Sequence, residues 1–228
     1  LKGFREQHGT ATRFISSAVE HPAVLNVCSY LAGKGTSVTT VGVDGDGMLD
    51  EGGIDFDTLD EHTLLSFMWG NNETGVLFPI ESLAAKARQR GACLHTDAVQ
   101  AVGKIPVDLQ STPIDFLALS GHKLHAPKGI GAVFVRRGTT LPPLLHGGHQ
   151  ENGLRAGTEN VPYIVGLGKA CELALAHMDD ESTRVRAQRD RLENALIQSC
   201  KGARRNGHAD KRLPNTANVS FEFIEGEA

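Results

Sequence analysis

The tetrapeptide Ser120-Gly121-His122-Lys123 carries the residues in this sequence that are best suited to chemistry. It follows the apolar run at residues 116–119, which predicts a short buried strand. A lysine just beyond the carboxyl end of a strand, flanked by a hydroxyl, a glycine and an imidazole, is suited to chemistry more than to solubility. Because an ordinary surface strand can also end in a lysine, the interpretation depends on the partners of Lys123.

A second candidate, Asp97, lies in residues 95–100, which follow an apolar strand and are predicted to open a helix. Ligands of open α/β sheets bind at the carboxyl ends of strands. Taken alone, Asp97 fits a helix cap equally well. Together, Asp97 and Lys123 form the pair that a pyridoxal phosphate enzyme needs. The lysine forms a Schiff base with the cofactor aldehyde, and the carboxylate keeps the pyridine nitrogen protonated.

Three further polar segments contain weaker candidates. His21 precedes Pro22 and is suited to stacking on a cofactor ring, although a lone histidine is more often a capping or core residue. Asn72, within the loop at residues 69–75, is suited to contacting a substrate carboxylate or a phenolic oxygen, or forms part of a simple turn. Residues 146–158 are rich in glycine and fit neither a Walker loop nor a dinucleotide fingerprint. They suit phosphate or carboxylate binding, or form a mobile loop.

Short apolar strands alternate with helices along the first two thirds of the chain, which predicts a layered α/β domain with a mostly parallel sheet and flanking helices. Proline begins two of the helices and glycine ends them. The predicted strands are residues 13–17, 37–43, 64–68, a short strand around Leu94, 116–119 and 131–137, and the predicted helices begin at Pro22 and Pro79.

The pattern changes near residue 161, where two helices are predicted over residues 164–174 and 181–200, followed by a strand over residues 218–223. The second helix is rich in arginine, and we interpret its charges as a solvated face. We therefore predict a large cofactor-binding domain at residues 1–178 and the incomplete beginning of a smaller α+β domain at residues 179–228.

Composition excludes several classes of protein. The 23 basic and 27 acidic residues give a net charge of -4, which offers no electrostatic basis for binding nucleic acid. No apolar run approaches the roughly 20 residues of a membrane-spanning helix. The four cysteines, Cys28, Cys93, Cys171 and Cys200, include no CxxC pair, so neither a zinc site nor a disulfide framework is expected. This cysteine usage predicts a reducing, cytoplasmic location.

The sequence resembles the cysteine desulfurases of the NifS/IscS type, which belong to the class V aminotransferases among the fold type I pyridoxal phosphate enzymes. The resemblance covers nearly the whole chain, and its glycine-rich segments lean towards the nitrogen-fixation branch. It implies the fold of an aspartate aminotransferase-like large domain. The matching stretches are residues 20–25, 69–75, 95–103, 120–129, 147–151, 155–160, 213–218 and 225–228.

The resemblance implies a role for each candidate residue. Lys123 holds pyridoxal 5'-phosphate, Asp97 pairs with its pyridine nitrogen, and Gln100 binds its phenolic oxygen. The other roles implied are ring stacking and proton transfer for His21, phosphate binding for Ser120 and His122, contact with cofactor and substrate for Asn72, and contact with the neighbouring subunit's phosphate for Thr158, which makes the protein a homodimer.

The implied reaction removes sulfur from L-cysteine, giving L-alanine and an enzyme persulfide, whose sulfur passes to an iron–sulfur scaffold or another acceptor protein. The family's Gly-Thr-Glu phosphate loop precedes the segment that matches Leu1, and its nucleophilic cysteine follows the segment that matches Ala228. None of the four cysteines matches that nucleophile. We therefore expect the chain to be part of a longer protein.

Three alternatives remain open from the sequence. A selenocysteine lyase or another class V lyase or transaminase would share the cofactor residues. A non-catalytic interaction protein could use the same fold. A metal-binding module is the third alternative, and its ligands would be His122, His125, His146 and His149.

Overall fold

The computed structural model describes residues 1–224, and at residue 181 it describes the backbone alone. Strands and helices alternate in this part of the chain as far as the sixth strand. The helices are α1 (Lys2–His8), α2 (Pro22–Ala32), α3 (Ile80–Gln89) and α4 (Val161–Ser199). The strands are β1 (Arg13–Ser17), β2 (Ser37–Val41), β3 (Thr63–Met68), β4 (Cys93–Asp97), β5 (Phe116–Ser120), β6 (Gly131–Val135), β7 (Ala203–Arg205) and β8 (Val219–Phe221).

Six strands form one sheet in the order β2-β1-β3-β4-β5-β6. The first five are mutually parallel where they pair, and β6 runs antiparallel to β5. A separate antiparallel ribbon is formed by β7 and β8. The mostly parallel sheet with flanking helices confirms the predicted fold class.

Helices cover both faces of the sheet, which explains why its strands are continuous apolar runs. All six residues of the central strand β3 are buried. Because side chains alternate between faces, Leu64 packs with Phe4 of α1 and Leu31 of α2, whereas Leu65 belongs to the cluster that contains Leu83 of α3.

The strand order reverses direction between β1 and β3. From β1 the chain passes to β2 on one side, and its next strand, β3, lies on the other side of β1. Loops that leave neighbouring strands in opposite directions open a crevice at the carboxyl ends of the strands, which is where open α/β sheets bind ligands. A ligand site is therefore expected among the loops that follow β1, β3, β4 and β5.

The prediction of two helices over residues 164–174 and 181–200 is wrong, because α4 is one helix of 39 residues. Residues 169–199 contain no glycine or proline to interrupt it. The hydroxyls of Ser182 and Thr183 donate to the carbonyl of Asp179 at 3.0 and 2.8 Å, so polar residues in the middle are accommodated by bonds within the helix. The helix α4 runs through residue 178 without a break. The domain boundary predicted at that residue stays a prediction.

Neither α4 nor any other helix within residues 1–224 combines the length and apolarity that crossing a membrane requires.

The prediction that a helix opens after Asp97 is also wrong. Residues 99–104 form successive turns, in which the Val102 N–H donates to the Ala98 carbonyl and the Lys104 N–H to the Ala101 carbonyl, both at 3.0 Å. Gly103 adopts a left-handed conformation with φ 76°, which ends the turns before a helix can grow.

Three strands are shorter than predicted. Those expected over residues 37–43, 131–137 and 218–223 end at Val41, Val135 and Phe221. Phe223 has φ 63°, which removes it from extended geometry. The matching stretch at residues 225–228 lies outside the described residues.

A buried ion network joins α4 to the segments that follow it. Glu193 is fully buried, and its carboxylate accepts hydrogen bonds from Arg212 Nη1 at 2.7 Å, Arg212 Nη2, and Arg205 Nε at 2.7 Å. The hydrogen bond from Arg212 lowers the pKa of Glu193 below its ordinary value. Arg189, one turn earlier on α4, donates to the Leu213 carbonyl at 2.7 Å.

We predict that Glu193→Ala lowers the free energy of unfolding by about 3–5 kcal/mol, because it removes the buried carboxylate that Arg205 and Arg212 share and leaves Arg212 with the more distant Asp190 at 3.8 Å. Chemical denaturation with a fixed m-value measures this loss. The matched control is Glu172→Ala on the same helix, which removes an exposed pair with Lys169 and costs less than about 1 kcal/mol. Equal losses in the two variants would contradict the prediction.

Candidate active site at the carboxyl edge of the sheet

The loops after four parallel strands meet at one edge of the sheet and carry seven of the eight predicted site residues. Met68 and Asp97, the last residues of β3 and β4, are aligned with Ala118, which lies two residues before the end of β5. The residues at this edge are His21 after β1, Asn72 after β3, Asp97 and Gln100 at and after β4, and Ser120, His122 and Lys123 at and after β5.

Lys123 is presented by a tight turn at the end of β5. Residues Gly121–Leu124 form one turn of 3-10 helix, and the Gly121 N–H donates to the Ile130 carbonyl at 2.9 Å. A Cβ at Gly121 would lie 2.7 Å from Ile130 Cγ2 and 3.0 Å from that carbonyl oxygen, so only glycine fits. The Lys123 side chain is exposed at the edge.

The Ser120 hydroxyl and His122 Nδ1 lie 2.7 Å apart on either side of Gly121. Both side chains thus form one polar group beside Lys123, and both are capable of donating hydrogen bonds to an anion. The side-chain chemistry of this turn suits a phosphate group.

Asp97 is the last residue of β4 and is half-buried. Its Oδ1 accepts from the Val99 N–H at 3.0 Å, which is the turn-capping use that the sequence left open. Only one carboxylate oxygen is used in this way, so capping and ligand binding are compatible. The Asp97 carbonyl also accepts from the Trp69 N–H at 2.9 Å, which fixes the end of β4 against the end of β3.

His95 lies two residues earlier on the same side of β4. Its Nδ1 is 2.9 Å from the Ser66 hydroxyl, and burial lowers its pKa to about 3. The imidazole is therefore neutral at physiological pH and supports the strand.

Lys104 is a site residue that sequence reasoning missed. Its ammonium group donates to Gln100 Oε1 at 2.8 Å, which leaves the Gln100 amide NH₂ as the free end of that side chain. Burial and the nearby charge of Lys123 lower the pKa of Lys104 to about 8. In the sequence, the contact is indicated only by the spacing of four residues between Gln100 and Lys104. That spacing brings the two side chains together because the chain forms turns after β4.

His21 caps α2. Its Nδ1 accepts from the Ala23 N–H at 3.1 Å, so the capping interpretation is confirmed. This hydrogen bond requires an unprotonated Nδ1 and therefore leaves the proton of the neutral ring on Nε2. The ring is exposed at the carboxyl edge, where capping leaves its faces available.

The adjacent Glu20 is the second residue that sequence reasoning missed. It is buried, although it belongs to a residue type that is rarely buried without a cationic partner. Its Oε1 accepts from the Ser17 hydroxyl at 2.6 Å and from the Met68 N–H at 2.9 Å. The sequence signal was weak, since Glu20 reads as an ordinary polar residue before a helix.

The loop after β3 is built by Asn71. Its side chain accepts from the backbone N–H groups of Glu73 and Thr74, both at 2.9 Å, and donates to the Val19 carbonyl at 3.2 Å. Asn71 thus holds this loop to the loop after β1. The predicted residue, Asn72, is exposed beside it, free to face a ligand.

Thr158 stands apart from the other seven residues. It is exposed in the segment that precedes α4, and the described residues give it no hydrogen bond to any of the other predicted site residues. Its assigned role requires a second subunit and stays a prediction.

The metal-binding alternative gains no support from the structure. Within residues 1–224, no three His, Cys, Asp or Glu side chains form a group that could hold a metal ion. His122, His125, His146 and His149 are all exposed.

Two of the four cysteines, Cys28 and Cys93, are poor nucleophiles. Cys28 is buried and the other three are half-buried. Burial and the nearby Asp115 raise the pKa of Cys93 to about 11, and burial raises the pKa of Cys28. Since the thiolate is the reactive form, neither is activated.

The residues at this edge fit pyridoxal phosphate. The turn after β5 offers an amine for the aldehyde and a hydrogen-bonded hydroxyl–imidazole pair for the phosphate. The end of β4 offers a carboxylate oxygen for the ring nitrogen, and the Gln100 amide, oriented by Lys104, offers a donor for the phenolic oxygen.

Comparison with known proteins gives consistent results. The profile of the family Aminotransferase class-V matches residues 1–228. The chain is 58% identical over 224 residues to a cysteine desulfurase of Gluconacetobacter diazotrophicus, covering 98% of the chain and 56% of that protein. It is 54% identical over 214 residues to the cysteine desulfurase NifS of Azotobacter vinelandii, covering 94% of the chain and 53% of that protein.

Solved structures agree with this relationship. A NifS-like protein superposes with a TM-score of 0.92 at 37% identity, over 99% of the chain and 62% of that structure. DndA from Streptomyces lividans superposes with a TM-score of 0.89 at 38% identity, over the whole chain and 64% of that structure. The chain spans about half the length of the curated relatives that it matches. With these matches and this carboxyl edge, the chain belongs to the class-V aminotransferase family.

Proposed function

We propose that the protein containing this chain is a pyridoxal 5'-phosphate-dependent cysteine desulfurase, which converts L-cysteine to L-alanine and an enzyme-bound persulfide. The observation that carries the proposal is the convergence of Asp97, Gln100 and the Ser120–Lys123 turn at the ends of two adjacent parallel strands. The names of the similar proteins, cysteine desulfurase and NifS, support this choice of reaction.

Each residue at the edge has a defined task in this proposal. Lys123 binds the cofactor aldehyde, and Ser120 and His122 donate to the phosphate. Asp97 supports a positive charge on the ring nitrogen through its free carboxylate oxygen. When bound, pyridoxal phosphate supplies an electron-withdrawing ring that acidifies the substrate's Cα–H bond.

Proton transfer falls to Lys123 in this account. His21 holds its proton on Nε2 while Nδ1 caps α2, so its neutral ring stacks and donates a hydrogen bond. The free amine of Lys123 would accept the Cα proton of the substrate. Asn72 contacts the cofactor and the substrate from the adjacent loop.

The sulfur is removed by a thiolate that attacks the substrate sulfur atom. The carbon–sulfur bond breaks, its electrons return to the substrate carbon skeleton, and the thiolate becomes a persulfide. Because none of the four cysteines matches the nucleophile of the family that this chain resembles, we assign this thiolate to a part of the protein other than these 228 residues.

Partners follow from the same proposal. We assign the protein to homodimers in which Thr158 reaches the phosphate bound by the other subunit. Exposed apolar side chains at the start of α4, including Val161 and Val165, suit burial in such an interface. The persulfide sulfur passes to an iron–sulfur scaffold or another acceptor protein, and the free cysteines suit a reducing cytoplasm.

Lys123→Ala in the full-length gene product should abolish both the visible absorbance of the bound cofactor and alanine release from L-cysteine, because it removes the amine that binds the aldehyde. Absorbance spectroscopy and a product assay measure these losses. The control, Lys34→Ala, removes an exposed lysine after α2 and should change neither. The idea fails if wild-type protein binds no pyridoxal phosphate, or if Lys123→Ala keeps an unchanged spectrum.

Lys104→Met should weaken pyridoxal phosphate binding by about tenfold or more, because a hydrogen bond from a charged donor orients Gln100. A double-mutant cycle tests the mechanism. If Lys104 acts through Gln100, then Gln100→Ala costs little more in the Lys104→Met background. Additive effects in equilibrium dialysis would show that the two residues act independently.

A further inference from the structure

The hydrogen-bond ladder between β1 and β3 stops before β3 ends. Paired residues run from Arg13 opposite Thr63 to Ser16 opposite Ser66, whereas β3 continues to Met68. The Trp69 N–H points to β4, where it donates to Asp97. Successive N–H groups of a strand point in opposite directions, so the Met68 N–H points towards β1, where the paired residues have ended.

The side chain of Glu20 supplies the missing acceptor. Its Oε1 lies 2.9 Å from the Met68 nitrogen and also accepts the Ser17 hydroxyl at 2.6 Å. Glu20 is only 4% exposed, so this carboxyl group is an internal part of the sheet edge. It occupies the point where the strand order reverses, directly at the crevice.

We propose that Glu20 is a positioning residue of the active site, a buried carboxyl group that resists ionisation, extends the β1–β3 ladder and thereby holds the ends of β3 and β4 in place at the carboxyl edge. This inference rests on the proposed function for its ligand. The Met68 N–H donates to the Glu20 carboxyl group, and the next N–H along the chain, that of Trp69, donates to the Asp97 carbonyl. These two hydrogen bonds connect Glu20 to the backbone of Asp97.

The surroundings of Glu20 favour its neutral form. Its Oε2 is buried without a hydrogen-bond partner in residues 1–224. The titratable groups facing it are Asp97 from β4 and Cys28 from α2, and neither is a cation. Burial and, to a smaller extent, the charge of Asp97 raise the pKa of Glu20 to about 7. The hydrogen bonds from Ser17 and Met68 act in the opposite direction and lower it.

A neutral Glu20 has a consequence for the ligand. Two adjacent carboxylates at the base of the crevice would repel each other, and the ring nitrogen of the cofactor needs one. Below about pH 7, where Glu20 keeps its proton, Asp97 is the carboxylate left for the ring nitrogen.

Two substitutions in the full-length gene product separate the parts of this inference. E20Q keeps an oxygen acceptor for Met68 and removes the titration, whereas E20A removes both. E20A should weaken pyridoxal phosphate binding by about tenfold or more, while E20Q should stay within about threefold of wild type. The matched control is E6Q, which changes an exposed glutamate on α1.

The pH dependence of melting in the cofactor-free protein is the second readout. Unfolding lowers the pKa of Glu20 from about 7 to its ordinary value of 4.5, so ionisation favours the unfolded wild type as pH rises between these values. The melting temperature of E20Q relative to wild type should therefore increase from about pH 5 to about pH 8, whereas that of E6Q should stay level.

Three outcomes would contradict the positioning role, the protonation of Glu20 or the proposed function. E20A with wild-type cofactor affinity would overturn the positioning role. A pH-independent difference between E20Q and wild type would overturn the neutral acid. Wild-type protein that binds no pyridoxal phosphate would contradict the proposed function alone, because the melting comparison needs no cofactor.

Discussion

The parallel alignment of β1, β3, β4 and β5 is the constraint on which the site depends. The carboxyl ends of parallel strands lie at the same edge of the sheet. Backbone hydrogen bonds from the residues that follow β3 and β4 connect each strand end to its neighbour. The Trp69 N–H binds the Asp97 carbonyl, and the Ala98 N–H binds the Ala118 carbonyl at 3.0 Å. Residues that are 26 positions apart in the chain, Asp97 and Lys123, are therefore presented on neighbouring strand ends.

The same residue type has opposite electrostatic roles at two buried positions. Glu193 is held by two arginines, and its pKa is lowered, so it remains a charge in the interior. Among residues 1–224, no cation pairs with Glu20, and its pKa is raised to about 7. Burial penalises the charged form in both cases, and the partner decides whether that penalty is offset. One carboxylate thus stabilises the connection to α4, and the other shapes the site.

Sequence reasoning predicted most of the fold because apolar strands, proline helix starts and glycine stops are local signals. It also placed Asp97 and Lys123 at strand ends, since apolar runs stop just there. It missed the continuity of α4, which was predicted as two helices, and the turns after Asp97, where the left-handed Gly103 ends helical winding. These features depend on bonds between particular residues that composition does not reveal.

Two site residues were beyond prediction for a related reason. Lys104 matters because turns bring it to Gln100 and Lys123, and Glu20 matters because the β1–β3 ladder ends early. Neither fact is visible in a pattern of polar and apolar residues. The contact of Lys104 depends on the turns after β4, and that of Glu20 depends on the register of β1 and β3, so both become apparent only from the three-dimensional structure.

The most direct test of the central claim is to find which lysine binds the cofactor. Borohydride reduction of the full-length protein with pyridoxal phosphate fixes the cofactor to its lysine, and mass spectrometry of the peptides identifies that residue. We predict that the pyridoxyl group is attached to Lys123, in the turn after β5. Attachment to Lys104 or another lysine, or an unlabelled Lys123, would contradict it.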